Sequence, residues 1–158
     1  MCLTLSFFPF LRRRKTAKKP IKVYKLAVKY DEDQTDGLAV YTTPFQRYQY
    51  RVGETSVSNL YRDKWCPSTL DVGIHSLLKF KNAVKIAYAL HDSCVPVSLL
   101  ECEIPVDSDY YKGGWRFRDT SYKSIASDSL KVVREVLIPA KRRSFLDLME
   151  AALLDRFT

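Results

Sequence analysis

The chain has 158 residues and a formal net charge of +8. Its hydrophobic share of 46% and charged share of 28% are those of one globular domain, long enough to fold without a disulfide or metal. Eighteen Phe and Tyr with two Trp exclude global disorder, no apolar run is long enough for a membrane-spanning helix, and five Gly leave little room for a glycine-rich phosphate cradle.

The charge is unevenly placed. Residues 1–22 hold seven basic side chains, Arg12, Arg13, Arg14, Lys15, Lys18, Lys19 and Lys22, and no acid. Taking those seven from the 26 Lys and Arg leaves nineteen basic residues against 18 acidic ones, so the body is close to neutral. A domain built to read nucleic acid carries its charge as a patch on the fold. The expectation is therefore a basic N-terminal arm over residues 1–22, loosely attracted to RNA, DNA or an acidic protein surface. Ahead of the basic run stands an apolar stretch, residues 1–11. A secretory signal places its charges first, so this order points to a packed strand or a short anchoring peptide. Cys2, Cys66, Cys94 and Cys102 form no C-x-x-C pair, and with two His in the chain no zinc spacing is present. They read as free thiols in a reducing compartment, the cytoplasm of a host cell or a virion.

Residues 23–30 alternate, with Tyr24, Leu26, Val28 and Tyr30 on one side and Lys25 and Lys29 on the other, which predicts a half-buried strand. Further strands are predicted over 38–42, 48–52 and 71–75, with a turn at Gly53. Phe80, Ala83, Val84, Ala87 and Leu90 recur at helical spacing, so a helix is predicted over 77–90, capped by Ser76. Residues 98–106 read as a strand, 107–119 as a loop because of Gly113-Gly114, and 130–138 as a strand ended by Pro139. Ser144 to Asp147 resembles a capping box, and Phe145, Leu148, Met149 and Ala152 then form an apolar stripe. The layout is an α+β domain over 23–139, with a mostly antiparallel sheet and a central helix, followed by an amphipathic C-terminal helix over 140–158.

Three candidate sites follow. His75 and Ser76 lie where a strand meets a helix, a place where backbone N–H groups and an imidazole can hold a ribose or phosphate, although a structural bond to a carbonyl is the favoured reading of His75. Glu101 and Glu103 share a strand face, flanking a substrate or facing solvent. Tyr48, Tyr50, Tyr61 and Trp65 can stack on a base or pack across strands. No signature of common hydrolases or nucleoside triphosphatases is present.

One wider pattern joins these segments. Phe45-x-x-Tyr48-x-Tyr50-x-Val52-Gly53, then Cys66, Gly73-Ile-His75, a helix with Ala83, the strand 100–106 and Ile125-Ala-Ser-Asp-x-Leu130-Lys-Val-Val133 are similar to a family of small domains common in bacteriophage and bacterial genomes. That family carries an "F-x-Y-x-x-G-K-x-Y" start, a "C-x-x-G-F/I-H" core and a final "K-I-x-x-E" strand. The likeness spans about residues 23–138, with Cys66 seven residues before Gly73 rather than about three, and Glu54 in place of a Lys. The order of elements also resembles the ADP-ribosyltransferase fold. The family implies no established reaction.

Two functions are expected from this. The first is a non-catalytic, phage-type accessory protein that works through protein–protein contacts and needs no cofactor. Its attachment residues are Arg12, Arg13, Arg14, Lys15, Lys18 and Lys19 on the arm and Phe145, Leu148 and Met149 on the last helix, and its partner is a larger assembly, a host target or a second copy of itself. The second is an ADP-ribosyltransferase-like enzyme or NAD binder, with His75 and Ser76 near the cofactor and Glu103 as the acid.

Overall fold

The computed structural model describes residues 3–5, 13–30, 39–43, 48–62, 69–91 and 97–138. In chain order these form β1 (Leu3–Leu5), β2 (Lys15–Thr16), β3 (Ile21–Tyr30), β4 (Val40–Thr42), β5 (Gln49–Arg51), β6 (Thr55–Val57), β7 (Tyr61–Arg62), β8 (Thr69–Val72), β9 (Ile74–Leu77), α1 (Phe80–His91), β10 (Ser98–Ile104), β11 (Asp109–Phe117), β12 (Thr120–Ser127) and β13 (Ser129–Val136). The strands run in the order β6-β13-β10-β3-β9-β12-β11-β1-β8-β7, with β2 also on β11 and β4 linking β3 to β5. Neighbouring strands are antiparallel throughout.

The α+β expectation is therefore corrected. The described residues are a largely antiparallel β structure with one helix of 12 residues. The expected C-terminal helix over 140–158 lies outside the described residues. The undercounting of strands came mainly from 107–127. Gly113-Gly114 signals a loop in a sequence, but here both residues sit inside β11, which pairs along its length with β12 as a hairpin turning at Arg118-Asp119. A Cβ on Gly114 would lie 2.7 Å from Ser121 Oγ, so this glycine serves a close approach between strands rather than a bend. The helix also starts later than expected. Ser76 belongs to β9 and does not cap α1, which begins at Phe80.

At its centre the sheet buries both faces. β3 is central and shows why: Val23 and Ala27 enter one apolar cluster, Leu26 enters another, and Tyr24 packs against that second one. The larger cluster gathers Leu100, Cys102 and Ile104 of β10, Ile125 of β12, Leu130 and Val132 of β13, and Tyr41 and Tyr50 from the β4–β5 ribbon. The second lies under α1, where Ala83, Ile86, Ala87 and Leu90 meet Leu26, Leu77 and Leu99. The two alanines let the helix backbone approach the sheet closely. Complete burial of Ile86 and Leu99 contributes about 2 kcal/mol each. Ala17, just after β2, joins the larger cluster, so the end of the basic segment is part of the packed body.

Candidate functional site

The strand-end candidates do not converge. On β9, Ile74 packs into the larger cluster and Leu77 into the helix-side cluster. Alternation therefore puts Ser76 on the face of Ile74 and His75 on the opposite face. Tyr24 of β3 is level with both Leu77 of β9 and Glu101 of β10. From that row, His75 lies two residues one way and Glu103 two residues the other, with Glu103 opposite Lys22. Four residues along the strands are about 13 Å, and β3 lies between the two side chains. Ser76 is buried in the core, and its Oγ has no hydrogen-bond partner among the described residues. His75 does offer its backbone carbonyl, which accepts a bond from Lys25 Nζ at 2.8 Å.

The other expected clusters are structural in the residues described. Glu101 is clamped by Lys22 at 2.8 Å and Arg134 at 3.1 Å, and the hydrogen bond from Lys22 is the main reason its carboxyl is held below the usual carboxylate range. Tyr50 is buried in the larger cluster, and its ring lies 5.8 Å from that of Tyr48, whose hydroxyl donates to the carbonyl of Val57 at 2.6 Å. Cys102 is a buried free thiol, pushed up to about 12 by burial. Cys2, Cys66, Cys94 and Trp65 lie outside the described residues.

The basic segment provides the arrangement with chemical potential. Arg12, Phe145, Leu148 and Met149 lie outside the described residues. Arg13, Arg14, Lys15, Lys18 and Lys19 are all exposed, and the backbone between them is tied to the body at residues 15–17. β2 pairs with the start of β11, Lys15 facing Tyr110 and Thr16 facing Asp109. Ala17 continues the pairing: its N–H donates to the carbonyl of Ser108 at 2.9 Å and its carbonyl accepts from Asp107 at 2.8 Å. Asp109 is the anchor. Its carboxylate takes a hydrogen bond from Thr16 Oγ1 at 2.7 Å and a salt bridge with Arg14, and these two, Thr16 first, hold its carboxyl below the ordinary range.

This pairing creates a groove of about 610 Å³. Its floor is Ala17, Ile21 and Tyr110, and Lys15, Lys18, Lys19 and Lys112 stand around it beside Thr16. Lys112 Nζ lies 6.0 Å from the centre of the Tyr110 ring, within the range where a cation is attracted to an aromatic face. Among the described residues, the lining includes four lysines and no acidic residue. Of the acids opposite this segment, Asp109 is engaged by Arg14 and Thr16, while Asp107, whose N–H donates to the carbonyl of Ala17, is exposed. Of the expected attachment residues, then, Lys15, Lys18 and Lys19 are brought together at one site. Lys112 is an addition; alternation of Tyr110 and Lys112 within a strand was the signal for it, hidden by the loop reading of Gly113-Gly114.

Among the described residues no helix is long and apolar enough to cross a membrane, and no group of three or more His, Cys, Asp or Glu is placed to hold a metal. Compared with known protein families, with curated proteins and with solved structures, the chain matches none.

Proposed function

We propose that the chain is a non-catalytic accessory protein of phage type that works by contact, fastened to a larger assembly or a host target by its basic segment. The observation that supports this reading is the lysine-rimmed groove: Lys15, Lys18, Lys19 and Lys112 gather exposed positive charge where β2 pairs with β11. Such a face steers an acidic protein surface into place through long-range attraction, while the fixed backbone limits the entropy lost on docking. Residues 140–158, with Phe145, Leu148 and Met149, supply a second, apolar attachment in this reading. The NAD-binding alternative needs His75, Ser76 and Glu103 around one ligand, and their placement on different faces and rows gives it no support.

The test is recovery of the partner from the native source with the full chain and with Lys15→Glu/Lys18→Glu/Lys19→Glu. These side chains are exposed, so the variant folds and its far-UV spectrum is unchanged. Recovery falls at least about tenfold in the variant and falls with added salt in the parent. Equal recovery by both proteins refutes the reading.

A further inference from the structure

Within that positive face lies the groove of about 610 Å³ lined by four lysines. We infer that it binds a linear polyphosphate group, of the kind carried by a nucleoside triphosphate or by inorganic polyphosphate. Four observations lead there.

The first is charge. Four lysines line the groove with no acid among its described lining residues, and Asp109 is held by Arg14 and Thr16. A single phosphate neutralises less than half of that charge, whereas a chain of three phosphates brings about four negative charges at neutral pH.

The second is the kind of cation. All four are lysines. A guanidinium offers a planar fork that fits a carboxylate in bidentate fashion, whereas an ammonium is a point charge on a flexible stem. Four independent point charges follow a chain of phosphate oxygens and give no geometric preference for carboxylates.

The third is volume. About 610 Å³ falls inside the range of about 300–1,000 Å³ typical of small-ligand sites. The fourth is the floor. Ala17 and Tyr110 are buried and Ile21 is half-buried, so the surface beneath the lysines is apolar and fixed.

Ligand binding here would also displace an acidic partner from the same lysines. That competition, though not the binding itself, rests on the contact function proposed above.

The experiment is titration calorimetry of the full chain with sodium tripolyphosphate at physiological salt, beside sodium phosphate, tetraglutamate and a twelve-residue oligothymidylate. Tripolyphosphate binds with one-to-one stoichiometry, at least about tenfold more tightly than phosphate or tetraglutamate. Lys18→Ala and Lys112→Ala each weaken it about three- to tenfold, while Lys131→Ala, an exposed lysine on β13 outside the groove, leaves it unchanged. Comparable affinity for tetraglutamate overturns the phosphate preference, and insensitivity to Lys112→Ala overturns the location. Tighter binding of the oligonucleotide than of tripolyphosphate means that the groove is part of a nucleic-acid track and refutes the small-ligand assignment. Partner recovery is read separately: if the partner is retained and tripolyphosphate does not bind, only the ligand inference fails.

Discussion

The ammonium of Lys25 donates a hydrogen bond to the carbonyl of His75 at 2.8 Å, from a side chain that is 5% exposed. Lys25 sits on the face of β3 shared with Val23 and Ala27. The Tyr50 ring lies 4.9 Å from its nitrogen, and Cys102 is close enough to interact with its charge. One bond and one aromatic face compensate only part of the cost of burying an ammonium, and burial pushes its pKa down to about 8 from 10.5.

The sign of the resulting pH dependence follows from proton counting. Between about pH 8 and 10.5 the unfolded chain keeps the Lys25 proton and the folded chain has lost it, so this residue makes stability rise with pH across that window. Cys102 and Tyr41, both pushed up to about 12, act the other way: the unfolded chain releases their protons first, and stability falls above about pH 9 to 10. The comparison is therefore between the parent and Lys25→Met. The stability advantage of Lys25→Met is largest below pH 8 and shrinks as pH rises to 10.5. At pH 7 it is about 1 kcal/mol, the lost bond to His75 offsetting part of the gain. Urea unfolding at pH 7, 8.5 and 10 checks this, and a pH-independent difference is the opposing result.

Cys102 is predicted to be chemically silent in the native state. Burial raises its pKa and leaves no path for a reagent. In a variant with Cys2, Cys66 and Cys94 replaced by serine, labelling by an aromatic disulfide at pH 8 proceeds only at the rate of opening of the larger core, and reaches the free-thiol rate in urea. Fast labelling without denaturant contradicts the packing described for β10.

Gly114→Ala places a methyl group 2.7 Å from Ser121 Oγ. The expected cost is about 1 kcal/mol, and in a Ser121→Ala background it falls close to zero, because the obstacle is one exposed hydroxyl and not backbone. Thermal unfolding of the four members of this cycle measures the coupling. An equal cost in both backgrounds shows that the glycine is needed for another reason.

Asp109→Ala removes the acceptor shared by Arg14 and Thr16. The amide of Ala17, which donates to Ser108, then exchanges with deuterium about tenfold faster, while core amides such as that of Leu100 keep their protection. Unchanged exchange at Ala17 shows that the β2–β11 pairing needs no side-chain anchor.

The sequence made the central strand and the helix readable for simple reasons. Residues 23–30 fall within β3, although the half-buried expectation is corrected, since Lys25 on its polar side is buried and Tyr30 on its apolar side is exposed, and the apolar positions of 80–91 repeat at the helical period. The hairpin β11–β12 was hidden because glycine carries a strong local turn signal, whereas the reason for Gly114 is a contact with Ser121 seven residues later. Short strands such as β6 and β7, of three and two residues, are too brief to show a period at all. At the candidate site, composition exposed Lys15, Lys18 and Lys19 as a charge run. It could not show that Lys112, more than ninety positions away, stands beside them, because that juxtaposition is made by the pairing of Lys15 with Tyr110.

That pairing changes the meaning of any shortened version of this protein. A version beginning at Val23 would not be a trimmed body lacking a loose extension. It would have lost Ala17 and Ile21, leaving Tyr110 wetted and the edge of β11 bare where β2 had lain. Such a fragment would tend to self-associate through the uncovered edge, so its failure to hold a partner would report damage to the globule as much as the loss of its lysines.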